Sequence, residues 1–317
     1  MKNSATALRA KRSDTIKSLG SVIALVLLIV IISIVQPEFR TVNNILSVLR
    51  QASVNGLIAF GMTGVILTGG IDLSVGSVLG LTAMLCAGFI KAGMPEILAI
   101  PLVLVIGTAF GFINGVLVTK GRLQPFIATL VTMSVYSGFT LIYGNGKPIS
   151  GLGTQPILST IGKGFFLGIP VPVWILAVMF AIFFFVLNQT TFGRRVYATG
   201  SNPIAARLAG VNIHKTKIII YSISGLMATL AGLILLSRLN SAQPTLGEGY
   251  ETDAIAATVL GGTSMSGGRG KIYGTVVGIL IIAILSNGLN IMGVSSYYQD
   301  VVKGLVILVA VLSDPNR

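Results

Sequence analysis

Ile272-Tyr273-Gly274-Thr275-Val276-Val277-Gly278-Ile279-Leu280-Ile281-Ile282-Ala283-Ile284-Leu285-Ser286-Asn287-Gly288-Leu289-Asn290-Ile291-Met292 runs without one Asp, Glu, Lys, Arg or His. A hydrocarbon core about 30 Å thick needs roughly 20 such residues in a helix, so this run reads as a membrane span. Nine further apolar stretches on either side, separated by polar or Gly/Pro punctuation, read the same way: Gly20 to Val35, Ile45 to Thr68, Ser74 to Ala92, Ile97 to Thr119, Phe126 to Tyr143, Val173 to Asn188, Lys217 to Ser237, Thr252 to Gly262 and Gln299 to Leu312. The last two are short, which calls for a tilted, broken or re-entrant path. The expected fold is all-α: a polytopic helical membrane protein of about ten transmembrane helices, with residues 20–312 forming a single transmembrane domain.

Composition excludes a water-soluble domain. The 317 residues are 53% hydrophobic and 10% charged, with a mean hydropathy of +0.89, whereas soluble chains are about one quarter charged. A net charge of +13 would point to nucleic acid in a soluble chain. Here it serves topology instead, because basic residues hold particular loops in the cytoplasm, and no nucleic-acid partner is expected. Cys86 is the only cysteine, which excludes an internal disulfide and any multi-cysteine metal site.

The first span follows a basic tail (residues 1–19, with Lys2, Arg9, Lys11, Arg12 and Lys17) but ends at Gln36-Pro37-Glu38-Phe39 with no small-x-small cleavage pattern. It reads as a retained anchor with the N-terminus inside. Ten spans then place residues 313–317 inside as well. Of the 22 Lys and Arg, the tails, the turns near 120 and 270 and the 189–216 loop with Lys217 hold fifteen, all on the cytoplasmic side of this map. Two long polar segments follow from it, Gly144 to Pro172 outside and Gln189 to Thr216 inside.

Little in the chain offers reaction chemistry. Gly268-Arg269-Gly270-Lys271-Ile272 lacks both the first glycine and the final hydroxyl of a phosphate-binding loop, and His214, the sole histidine, sits in a basic loop where solvation explains it. No ATP site, cofactor or metal is expected on this chain, and it does not read as an enzyme. Ion-gradient coupling needs ionisable groups at membrane depth. The candidates are Asp72 in a glycine break, Asp253 at the start of a short span, and Asp300 with Lys303, whose spacing fits an ordinary surface pair along one helix.

Most of the 39 glycines fit close helix approach. Two clusters interrupt helices: Gly69-Gly70-Ile71-Asp72-Leu73-Ser74 and Gly261-Gly262-Thr263-Ser264-Met265-Ser266-Gly267-Gly268-Arg269-Gly270. Each is either a break lining a pathway or a tight interhelical turn, and Arg269 and Lys271 favour the turn for the second. Leu67-Thr68-Gly69-Gly70 faintly echoes Leu260-Gly261-Gly262-Thr263, and Asn114-Gly115 echoes Asn287-Gly288, with unequal spacing between the two marks.

Within the inside loop, Gly200 to Asn212 reads as one short amphipathic helix: Asn202 can cap it, Pro203 suits the first helical position and Gly210 its end. It is either a peg with small residues, Ala205 and Ala206, where another surface approaches, or a helix lying on lipid. The spacing Ala205-Ala206-x-x-x-Gly210 resembles the core of the EAA loop, by which permease subunits of bacterial ABC importers dock on their ATPase subunits. Ile204 stands in place of that motif's glutamate, so no carboxylate contact carries over.

Over almost everything from Gly20 to Leu312 the chain resembles the permeases of ribose-type importers, in the branched-chain amino acid/sugar permease family. The segments that carry the resemblance are Ile66 to Ser77 (ILTGGIDLSVGS), Phe126 to Leu130 (FIATL), Ser241 to Gly270 (SAQPTLGEGYETDAIAATVLGGTSMSGGRG) and Asn287 to Gln299 (NGLNIMGVSSYYQ). The resemblance implies a bacterial inner-membrane permease for ribose or a related monosaccharide. It also implies a second permease copy as homodimer partner, a cytoplasmic ATPase with two fused nucleotide-binding domains that uses the ATP, and an extracytoplasmic sugar-binding protein. The segments 144–172 and 238–251 would meet the binding protein, and Asn202, Ala205, Ala206, Arg207 and Gly210 would couple to the ATPase. A small polar sugar needs hydroxyl, amide and backbone groups along its route, which makes Asp72, Ser74, Asn114, Asn287 and Asn290 the pathway candidates. Each is otherwise a satisfied interhelical hydrogen-bonding residue. The competing reading is a gradient-driven carrier, or a passive channel, working alone.

Overall fold

The computed structural model describes residues 20–312. The basic N-tail, 1–19, and the C-tail, 313–317, lie outside the described residues. The order is α1 (Gly20–Val35), a 3-10 turn (Pro37–Arg40), α2 (Val42–Leu67), α3 (Val75–Lys91), α4 (Glu96–Thr119), α5 (Pro125–Gly144), β1 (Ile149–Ser150), α6 (Pro156–Lys163), β2 (Phe165–Phe166), β3 (Ile169–Pro170), α7 (Val171–Gln189), α8 (Thr191–Ser201), α9 (Pro203–Leu208), α10 (Ile213–Leu239), β4 (Ser241–Ala242), α11 (Tyr250–Leu260), α12 (Ile272–Ile291) and α13 (Ser296–Leu312).

Each of the ten apolar runs falls on a helix. Among the described residues, six helices (α2, α4, α5, α7, α10 and α12) are long and apolar enough to cross a membrane on their own. The chain is an all-α, multi-pass membrane protein. In α2, α10 and α12 two thirds of the most apolar stretch is buried, whereas in α7 only 17% is. The first three therefore form the centre. The outer helices turn side chains such as Ile97, Val105, Ile142 and Phe185 outward, a surface that only lipid or another apolar chain can cover.

Small residues set the tightest crossing. Gly107, Gly111 and Gly115, one turn apart on α4, press against Thr229, Tyr221 and Ile218 of α10 with no room for a methyl group. This is the close helix approach expected of most glycines here.

The 144–172 segment is built rather than loose. β1 pairs antiparallel with β4, Ile149 opposite Ala242 and Ser150 opposite Ser241, which joins this segment to the start of 238–251. The Glu96 carboxylate receives the N–H groups of Ile157 and Leu158, each at 2.9 Å, and so caps the first turn of α6, where free backbone donors favour an anion. Arg50 lies over the Phe165 ring, 4.7 Å from its centroid, and ties α2 to the β2–β3 hairpin.

In the 189–216 loop the helix expected between the Asn202 cap and the Gly210 end is present as α9, while Gly200 and Ser201 belong to another helix before it. Gly200 and Ser201 close α8, the backbone turns at Asn202, and α9 is a separate helix of six residues. The physical cause is Asn202 itself, whose extended backbone (φ −155°, ψ 97°) ends one helix and whose side chain starts the next.

Candidate functional site

The α9 peg is assembled by its ends. Asn202 Oδ1 accepts from the Ala205 N–H at 3.0 Å, and Pro203 fills the first helical position. At the other end Val211 donates to the Ala206 carbonyl at 3.0 Å while Gly210 adopts a left-handed φ of +81°, the usual way of closing a helix. Ala206 is buried and seats the peg on the protein. Ala205, Arg207 and Gly210 are exposed. The five coupling residues named from sequence thus form one capped turn, but Ala206 faces inward rather than toward a partner.

Sequence reasoning missed the two large apolar residues that face outward. Ile204 is 75% exposed and Leu208 85% exposed, one helical turn apart on the same side. Their spacing in an otherwise polar loop was the available signal. Arg194, Arg195, Arg207, His214 and Lys215 of the same loop are exposed too, so the loop presents both apolar and basic side chains.

Behind the peg the two glycine clusters meet. Gly268 donates its N–H to the Leu67 carbonyl at the end of α2, at 3.0 Å, and holds a left-handed φ of +69° where a side chain would run into the Ser201 backbone. Gly200, near the end of α8, lies so close to that same Leu67 carbonyl that a methyl group there would overlap it. Tyr197 adds a bond from its phenol to the Gly270 carbonyl at 3.0 Å. Burial, and then its neighbour Tyr273, push the Tyr197 phenol up, so it remains a donor at neutral pH. The second cluster is therefore a turn, as Arg269 and Lys271 favoured. That turn clasps the ends of α2 and α8 together.

Just beyond the clasp, Asp72 is 1% exposed and fully engaged. Its Oδ1 accepts from the Ser74 hydroxyl at 2.7 Å and the Ser74 N–H at 3.1 Å. Its Oδ2 accepts from the Ser224 hydroxyl of α10 at 2.9 Å. Asn114 of α4 donates to the Ser74 hydroxyl at 2.6 Å. Thr129 of α5 and Tyr221 of α10 both donate to the Ile71 carbonyl at 3.3 Å. The break between α2 and α3 is thereby held from three helices, which meets the demand of a helix-breaking segment for internal partners.

Asp72, Ser74 and Asn114 come together, then, as one hydrogen-bonded network, in which Asn114 Oδ1 alone is buried without a partner. Asn287 lies near the opposite end of α12 and exchanges two amide bonds with Asn44 of α2, at 2.9 and 3.0 Å. Asn290 is exposed on the last turn of α12. These two share no site with the first three.

Two polar cavities lie elsewhere and share Glu248. One of about 180 Å³ lies between α3, α5 and the 244–251 segment. The other, about 580 Å³, is walled by α2, the 248–253 segment and α13. Inside the latter Lys303 pairs with Asp253 of α11, Nζ to Oδ2 at 3.0 Å. The expected one-turn pair with Asp300 gives way to this link between two helices, which spacing along one helix does not disclose.

Residues 44–311 match the family described as branched-chain amino acid transport system / permease component. The ribose import permease protein RbsC of Bacillus subtilis is 56% identical over 95% of this chain and 94% of its own length. The protein of the same name in Haemophilus influenzae is 53% identical over 93% and 92%, and that of Escherichia coli K12 is 51% identical over 94% and 93%. No solved structure matches the chain. A multi-pass helical chain with a capped, outward-facing peg and a match of this extent is a transporter subunit, and it belongs to the branched-chain amino acid transport system / permease component family.

Proposed function

We propose that this chain is the transmembrane permease subunit of an ATP-binding-cassette importer in the bacterial inner membrane, and that it carries ribose or a closely related monosaccharide into the cytoplasm. The observation that carries this reading is the identity of 51–56% to ribose import permeases along nearly the whole chain. In this reading the chain crosses the membrane ten times with both termini inside, works as a homodimer, and neither binds nor hydrolyses ATP.

The peg supports a division of labour. Ile204 and Leu208 enter a groove of the separate ATPase, with the basic residues of the same loop steering the encounter. Closure of the ATPase pair moves α9 and α8. Because Gly200 of α8 and Gly268 of the turn after α11 both abut Leu67, the movement passes directly to the end of α2 and the break around Asp72. Short, stiff elements joined by backbone contacts switch between discrete arrangements rather than absorbing the motion. On the opposite side the strand pair β1–β4 presents 144–172 and 238–251 as one platform for a sugar-binding protein.

The test is complementation. Cells lacking their own ribose permease but retaining its ATPase and binding protein should regain labelled-ribose uptake when given this chain. An excess of unlabelled allose, arabinose, galactose or xylose should compete less well than ribose. Restored uptake of a different sugar would overturn the ribose assignment, and no uptake of any sugar despite normal membrane insertion would overturn the importer reading.

A further inference from the structure

We propose that the cavity walled by α2, the 248–253 segment and α13 is a monosaccharide-binding station, where sugar hydroxyls bridge Asn55, Asp253 and Lys303 on the way through. The proposal rests on the transport reading above and deepens it by placing the sugar.

The cavity is about 580 Å³. Gln51 and Asn55 come from α2, Asp253 from the start of α11, and Lys303 from α13. Asp253 Oδ2 receives both Lys303 Nζ at 3.0 Å and Asn55 Nδ2 at 3.4 Å. That leaves an uneven set. Asn55 is 3% exposed and its Oδ1 is buried without a hydrogen-bond partner, although buried carbonyls are paired as a rule. Asp253 Oδ1 has no protein partner among the described residues, while Lys303 retains two N–H bonds beyond the one it uses.

Unused acceptors beside unused donors suit a ligand whose groups do both. Each sugar hydroxyl donates one hydrogen bond and accepts others, so a polyol can donate to Asn55 Oδ1 and Asp253 Oδ1 while accepting from Lys303 and the Gln51 amide. A hydrophobic solute would leave all four unpaired, and a monovalent ion would satisfy only one sign. Ionisable side chains inside a membrane domain are rare, pair with one another and mark substrate or ion pathways. The Asp72 network also leaves one buried acceptor unpaired, Asn114 Oδ1, but it offers no unused cationic donor beside it. A station of this kind holds its solute weakly, since a transit site must also release it.

The test uses the assembled complex in proteoliposomes. In a Cys86→Ala background, Gln51→Cys supplies a single thiol at the cavity wall, and its reaction with a small methanethiosulfonate reagent is timed with and without millimolar ribose. The station predicts several-fold slower labelling in ribose and no slowing in betaine, which lacks hydroxyls. Asn55→Ala and Lys303→Met should lower ribose uptake about 5- to 10-fold while ATP hydrolysis stimulated by the binding protein persists, and Lys303→Arg should restore most of the uptake. A purely structural ion pair would instead lower expression and hydrolysis together. Labelling indifferent to ribose, or an unchanged ratio of ribose moved to ATP hydrolysed in Asn55→Ala, overturns the station. Absence of ribose uptake by the unsubstituted complex would instead count against the transport reading, and the labelling result stands apart from it.

Discussion

Gly268 donates its backbone N–H to the carbonyl of Leu67 at 3.0 Å, joining the turn after α11 to the last residue of α2. Gly200 of α8 presses on the same carbonyl, so three segments distant in sequence converge on one oxygen. Neither contact involves a side chain that a substitution can trim, and both depend on the absence of one.

Gly200→Val should therefore act as a wedge. Overpacking of a tight contact costs about 1–3 kcal/mol, here borne by the joint between the ATPase-facing loop and α2. Uptake should fall at least tenfold while the assembled complex retains most of its ATP hydrolysis, measured side by side in proteoliposomes. Equal loss of both would place the fault in assembly rather than in coupling.

Ile204 and Leu208 make a separate prediction, because side chains 75% and 85% exposed contribute little to the packing of the permease itself. Ile204→Ser with Leu208→Ser should leave thermal stability unchanged and weaken ATPase binding by roughly 30- to 1,000-fold, in line with about 1–2 kcal/mol for each anchoring side chain. Co-purification of the ATPase across a dilution series reads this directly.

The Asp72 network should behave as a stability element. Ser224→Ala removes one hydroxyl from Asp72 Oδ2, and leaving a buried polar group without its partner costs about 1–3 kcal/mol. Asp72→Ala leaves the Ser74 and Ser224 hydroxyls without their shared acceptor and should cost more. A thermal unfolding series in detergent should rank the wild type above Ser224→Ala and both above Asp72→Ala.

Glu96 predicts a local effect on the opposite face. Glu96→Ala strips two N–H groups of α6 of their acceptor, so amide exchange at Ile157 and Leu158 should quicken about tenfold or more, each bond contributing roughly 1 kcal/mol or above. Exchange in the core of α10 should stay as it was.

Much of this molecule is legible in sequence because lipid imposes a single strong rule: apolar runs of about 20 residues become helices. All ten runs do. Asn202, Pro203 and Gly210 announce the peg equally well, since capping chemistry is local. What stayed hidden depends on contacts between distant residues. The Lys303–Asp253 pair spans 50 positions, so the nearer Asp300 drew the inference instead. The Asn287–Asn44 pair, 243 positions apart, was hidden in the same way: residue type identifies a polar group in a membrane, but only packing tells which groups meet. The turn at 261–270 is recognisable as a break from its glycines, whereas its grip on Leu67 and Ser201 follows from the three-dimensional path of the backbone.

The most direct test of the account is labelled-ribose uptake into proteoliposomes holding this chain, with the ATPase and the sugar-binding protein each added or omitted. Uptake that requires both partners and ATP, and that persists when an ionophore collapses ion gradients, is the predicted result. Ribose entry through this chain alone, whether abolished by the ionophore or indifferent to ATP, would contradict it and establish a carrier or a channel instead.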